Sequence, residues 1–156
     1  KALATAQRAK NKQRVKAIHA KIKHTRQDLI HKFTTQLVKD NALIVVGDVR
    51  TTQFNSKKGK LAKSVYDAGW FELKRQLAYK CENAGCRFDI VNEKYTTQRC
   101  SCCGDITDNS PKGRTSLGIR EWTCAMCGTW HDRDINASQN ILAVGLDRLA
   151  VGIPSL

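Results

Sequence analysis

Residues 100–104 read Cys-Ser-Cys-Cys-Gly and residues 124–128 read Cys-Ala-Met-Cys-Gly, two C-x2-C-G knuckles separated by 20 residues. Two turns of this kind can present four thiolates tetrahedrally. The glycine after each second cysteine suits a backbone that turns tightly and points amides at sulfur. Cys100, Cys103, Cys124 and Cys127 are therefore candidate ligands of a structural Zn2+, with an iron–sulfur cluster or a redox dithiol as the alternative. Four protein ligands leave zinc no open position for water, so its role is to hold a loop in shape. Cys102 is a spare thiol, because a C-x-C bite from Cys100 fits a zinc knuckle poorly. Cys81 and Cys86 lie outside the module and read as free buried thiols. No secretory signal pattern heads the chain, so its seven cysteines point to metal rather than to a disulfide scaffold.

Working outward, the flanks alternate between helical and strand periods. Ile18, Ile22, Leu29, Ile30, Phe33, Leu37 and Val38 mark one stripe of a long helix over about residues 5 to 39, with Lys, Arg, Gln and His on its other faces. Ala42-Leu-Ile-Val-Val46 is a short β-branched run bounded by Gly47 and Asp48, which predicts a buried central strand. Residues 49–63 are polar, basic and loop-like; Ser64 is a candidate cap for a helix with Val65, Trp70, Leu73 and Leu77 on its apolar side. Arg87-Phe-Asp-Ile-Val91 alternates as a second strand leading to Glu93. After the cysteine-rich stretch 98–130, Asp132 or Asp134 opens a last helix through Ala137, Ile141, Leu142 and Val144, ending near Gly145. The order α-β-α-β-(Cys insert)-α predicts an α/β fold carrying a small metal module.

The 156 residues bear 27 Lys and Arg against 14 Asp and Glu, a formal charge of +13, unevenly placed. Residues 1–39 hold 11 of the basic residues and one acid, Asp28. A polyanion is the natural partner of such a segment, since Lys and Arg contacts to phosphates release condensed counterions. Arg8, Lys10, Lys12, Arg14 and Lys16 are candidate contacts there, with Lys57, Lys58 and Lys60 in the basic loop. The alternative is a solvated helix face. No apolar run approaches a membrane span, and no Trp- and Phe-rich face suits a bilayer surface. The chain opens at Lys1 in a basic polar stretch, which does not read as a natural start.

Trp130-His-Asp-Arg-Asp134-Ile-Asn136-Ala137 puts acids at a helix start just after the cysteine module. Capping explains such acids. The alternative is that one joins other strand-end acids, Asp48 or Glu93, in holding Mg2+ for phosphodiester cleavage. His131 and Arg133 read as phosphate contacts or local salt-bridge partners.

Three segments, Tyr95-Thr-Thr-Gln-Arg-Cys-Ser-Cys-Cys-Gly104, Arg120-Glu-Trp-Thr-Cys-Ala-Met-Cys-Gly128 and His131-Asp-Arg-Asp-Ile-Asn-Ala137, resemble the C-terminal half of the TnpB/OrfB proteins of insertion sequences, relatives of type V CRISPR effector nucleases. The resemblance runs over nearly the whole chain. It implies an α/β, partial RNase H-like (RuvC) fold lacking its first three strands, with an inserted zinc ribbon held by four cysteines. The RuvC-like part would occupy residues 1–97, the ribbon 98–130, and the last helix and tail 131–156. It further implies an RNA-guided, Mg2+-dependent DNA endonuclease, with DNA and guide RNA as partners, no membrane, and a cytoplasmic, nucleoid-associated or nuclear location. Of the family's three Mg2+-binding acids, the last maps onto Asp134, and the first has no counterpart here, so the chain alone is expected to be inactive. At the second, the family's strand ends in Glu-Asp, whereas this chain has Gly47-Asp48. Three readings follow: Glu93 on the neighbouring strand supplies the missing carboxylate, Asp48 stands in, or the nuclease is dead and the protein binds DNA without cutting. A Gly-Asp strand end with Asn-Glu before the Tyr is a recurring variant of the family, which favours Glu93.

Overall fold

The structure, a computed structural model, describes residues 2–48, 69–113, 116 and 118–151. The basic loop with Lys57, Lys58 and Lys60, the Ser64 cap and Val65 lie outside the described residues. In chain order the elements are α1 (Ala2–Arg8), α2 (Lys12–Asp40), β1 (Leu43–Gly47), α3 (Trp70–Ala84), β2 (Arg87–Val91), β3 (Glu121–Thr123), β4 (Trp130–Asp132) and α4 (Arg133–Ala150). They form two compact units, one of α1 to α3 and the other of the strands and α4. No helix among the described residues is long and apolar enough to cross a membrane.

The single helix expected over residues 5–39 is two. Lys10 takes a positive φ of 50°, and Asn11 restarts the helix by accepting a hydrogen bond from the Arg14 N–H at 3.0 Å. A side-chain amide that satisfies an end-of-helix N–H competes with continuation through that residue. The apolar stripe of α2 is mostly not core: Val38 alone of its seven residues is buried, while Ile22, Leu29 and Phe33 are exposed. A buried polar network joins α2 to α3. Thr34 and Gln76 are both fully buried and hydrogen-bonded to each other at 3.0 Å. The Lys80 ammonium donates to His31 O, Thr34 Oγ1 and Thr35 Oγ1 at 2.7–2.8 Å. Burial lowers the Lys80 pKa, and the ring of acceptors offsets the cost of placing that charge there. Trp70, expected on the apolar side of α3, is 37% exposed at its first position, while Leu77 is buried.

In the second unit β1 and β2 pair. Arg87 N–H donates to Ala42 O at one end and Asp48 N–H to Val91 O at 2.7 Å at the other, so the strands run parallel and end together. β1 is half-buried along Leu43–Val46 rather than fully buried as a central strand would be. Helix α4 packs on β1. Gly145, expected to end this helix, lies inside it: a Cβ there would meet Val45 Cγ2 at 2.5 Å and Cγ1 at 2.8 Å. The glycine is a close-approach site, and the helix runs on to Ala150 because nothing at 145 breaks its hydrogen bonding. Asp89 on β2 is 2% exposed and neither carboxylate oxygen accepts a hydrogen bond; its charge is answered by Arg148 Nη1 at 3.5 Å, which also donates to Ile90 O.

Helix propensity favours Ala over Gly by about 1 kcal/mol, yet the overlap with Val45 dominates at residue 145. Gly145→Ala is predicted to lower stability in urea unfolding by roughly 1–3 kcal/mol, and Val45→Ala in the same chain to recover part of the loss.

Candidate functional site

The two cysteine knuckles fold identically. In the first, Gly104 N–H donates to Cys100 O and Cys100 N–H to Asp105 O; in the second, Gly128 N–H donates to Cys124 O and Cys124 N–H to Thr129 O, all at 2.9 Å. Both closing glycines have φ near the left-handed region, 83° at Gly104 and 71° at Gly128, as the spacing requires. The four sulfurs of Cys100, Cys103, Cys124 and Cys127 lie within 4.8 Å of one another. Cys100 and Cys127 are 3.6 Å apart, and Cys103 and Cys124 are 3.7 Å apart. Zn–S bonds of about 2.3 Å in a tetrahedron give S···S edges of about 3.8 Å, so the cage fits a metal such as zinc. Among the described residues no other set of three or more Cys, His, Asp and Glu closes on a point. Cys102 is exposed and outside the cage. Cys81 and Cys86 are free, with Cys81 buried and Cys86 only partly so; burial, then the hydrogen bond with Cys86, pushes the Cys81 thiol up to about 12, which makes it inert.

The thiols of the cage are shifted in opposite directions. Thr129, through its hydroxyl and its backbone, holds the Cys127 thiol down at about 6, a thiolate at neutral pH. At Cys103 the Asp105 backbone pulls the other way from burial and the neighbouring thiols, which prevail and push it up to about 12; burial also raises Cys100.

β3 and β4 pair antiparallel with Trp122 opposite His131, and β4 runs straight into α4. Asp132 is the N-cap, accepting from the N–H groups of Asp134 and Ile135 at 2.9 Å. That frees Asp134 from capping, and its carboxylate is 75% exposed, 3.3 Å from Arg120 Nη1. His131 differs from its expected phosphate or salt-bridge role: it is 6% exposed, with Nε2 3.0 Å from Cys100 Sγ and its ring 4.9 Å from that of Trp122. Arg133 is half-buried, donating to Ser116 O.

The acid at residue 93 occupies the space the glycine at 47 leaves. A Cβ on Gly47 would lie 2.6 Å from Glu93 Oε2, 3.1 Å from Glu93 Cβ and 3.3 Å from Ile141 Cδ1. Glu93 is half-buried, and so is Asp48, the residue after β1. The chain after Glu93 is held in a turn: Asn92 Oδ1 accepts from Lys94 N, Thr96 N donates to Glu93 O, and Tyr95 adopts a left-handed φ of 68°. Sequence reasoning missed what anchors this turn. Asn136 Nδ2 and Asn140 Nδ2 both donate to Thr96 O and Arg99 O, while Asn136 Oδ1 accepts from Ser101 N. The available signal was the i,i+4 spacing of two asparagines, on one face of a helix. On the first unit Arg8, Lys10, Lys12, Arg14 and Lys16 are all exposed.

With this geometry in place, the chain can be set beside known proteins. Residues 70–141 match the family model "Cas12f1-like, TNB domain". Two bacterial proteins with the name "Putative RNA-guided DNA endonuclease" are similar: one from Streptomyces pristinaespiralis, 40% identical over 97% of this chain and 36% of its own length, and InsQ of Escherichia coli (strain K12), 32% identical over 92% and 38%. The chain belongs to the TnpB family. It spans little more than a third of the length of these relatives. A chain in the cryo-EM structure of the Cas12f1–sgRNA–target DNA complex superposes with a TM-score of 0.66 at 16% identity, over 89% of this chain and 39% of that one, and so shares its fold.

Serine at any one of Cys100, Cys103, Cys124 or Cys127 is predicted to release the bound metal, measured as metal per chain after gel filtration, whereas Cys102→Ser retains it. Because the thiols must give up protons, apparent affinity rises with pH and falls as acid protonates Cys127 through about 6.

Proposed function

We propose that this chain is the nuclease-bearing part of a transposon-encoded, RNA-guided DNA endonuclease. Its partial RuvC fold would occupy residues 1–97 and 131–156 and be interrupted by a zinc ribbon at 98–130. The observation that carries the reading is the interlock of Gly47 and Glu93. A carboxylate from the end of β2 stands where a side chain at the end of β1 would be, the position at which the family's second acid is expected. Decay of an active site would account for the glycine but not for an acid filling its place.

On this reading Glu93 and Asp134 supply hard oxygen ligands for Mg2+, the carboxylate chemistry that ion selects. Mg2+ bound there would supply a water nucleophile and stabilise the leaving oxygen of a phosphodiester. The third acid of the family would come from another part of the full-length protein. Asp48 would orient the strand end. Asp132 satisfies the helix N-terminus, leaving Asp134 for the metal. Arg120, exposed beside Asp134, would turn to substrate phosphate once the cation arrives, since an exposed pair of this kind holds weakly. Arg8, Lys10, Lys12, Arg14, Lys16, Lys57, Lys58, Lys60 and Arg133 would hold guide RNA and DNA through phosphates, without reading sequence. The protein would act wherever its DNA lies, in the cytoplasm and nucleoid of a prokaryote or in a nucleus.

The test uses the full-length protein with its guide RNA and matched DNA. Cutting should need Mg2+ and fall by about a hundredfold or more in Glu93→Ala, while Gly47→Glu combined with Glu93→Ala should restore part of it by returning the acid to β1. Undiminished cutting by Glu93→Ala would place the second acid elsewhere, and tight binding without cutting by the wild type would make the protein a DNA binder. The 156-residue chain alone is expected to cut nothing.

A further inference from the structure

His131 belongs to the run of residues that opens α4, yet its ring is turned into the ribbon. It is 6% exposed, stacked against Trp122 at 4.9 Å between ring centres, and its Nε2 lies 3.0 Å from Cys100 Sγ. Cys100 is itself fully buried. A metal-bound cysteine is a thiolate and has no proton to offer. The short contact then requires Nε2 to carry the hydrogen and the sulfur to accept it. Four thiolates around a divalent ion leave a double negative charge in an enclosed site, and a donor aimed at one sulfur disperses it. Two further observations show that the contact is built. Strand register places His131 directly opposite Trp122, and the same strand continues into the Asp132 cap and Asp134.

We propose that His131 is a positioning residue that donates its Nε2–H to the Cys100 thiolate, fixing the metal in the ribbon and tying that site to the start of α4. This rests on the reading of the four cysteines as a metal site.

The experiment compares wild type, His131→Phe and His131→Gln in the 156-residue chain. It measures zinc release to a chromophoric chelator and the sulfur-to-metal charge-transfer band of the Co2+ form. Phe keeps a ring against Trp122 and removes the donor; Gln removes the ring and keeps an N–H. The expected result is release faster by about 10- to 100-fold in His131→Phe, a shifted charge-transfer band, and substantial rescue by Gln. Where the Phe variant does not fold, the Gln variant decides alone: release near the wild-type rate supports the hydrogen bond. Wild-type release and an unchanged band in a folded Phe variant would overturn the proposal, as would Gln releasing metal as fast as Phe. A wild-type Co2+ spectrum of three sulfurs and one nitrogen would also overturn it, making His131 a ligand. A wild-type chain that binds no zinc or Co2+ would instead overturn the metal reading beneath it.

Discussion

The Glu93 carboxylate lies over the bare face of Gly47, and a side chain at 47 would have to displace it. A Cβ at 47 would sit 2.6 Å from a Glu93 carboxylate oxygen, closer than non-bonded atoms approach. The parallel pairing of β1 and β2 brings the two strand ends side by side, since Asp48 N–H donates to Val91 O. Adjacent strands are separated by about 4.8 Å, a gap that one glutamate side chain spans. On the proposed reading, the carboxylate would have moved sideways by one strand and kept roughly its position in space.

The segment that follows Glu93 has little freedom. Its turn is closed by backbone bonds and by a left-handed Tyr95, and the carbonyls of Thr96 and Arg99 are clamped by Asn136 and Asn140 of α4. Asn136 also accepts from the backbone of Ser101, the residue after the first cysteine ligand. The same helix that carries Asp134 in its first turn therefore fixes both the Glu93 turn and the first knuckle. The two amides share both carbonyls, so loss of one leaves the other as donor, and only loss of both would leave these buried carbonyls without one. With a metal in the cysteine cage, the ribbon would be held at its centre by that ion and at its base by α4.

Much of this was legible in the residues. The C-x2-C-G spacing marked the four thiols that the structure brings together, because knuckle geometry is local and glycine marks where the turn closes. The alternation of Arg87–Val91 gave β2 with its limits. What escaped is non-local or depends on competing local bonds. Asn11 breaks the first helix by capping, though its neighbours keep helical period. Gly145 reads as a stop signal because the sequence does not show Val45 packed against it. The α2 stripe looks like core, yet the contact with α3 is made by Thr34, Gln76 and Lys80. His131 reads as a phosphate contact or local salt-bridge partner because only strand register turns it toward Cys100.

The relocation of the second acid is tested most directly by locating the ions. The measurement is a Mn2+ anomalous-scattering map of the full-length protein bound to guide RNA and target DNA. The account predicts a Glu93 carboxylate oxygen at bonding distance, about 2.1–2.2 Å, from an ion that Asp134 also ligates. An ion held by Asp134 and Asp48 with Glu93 turned away would contradict it.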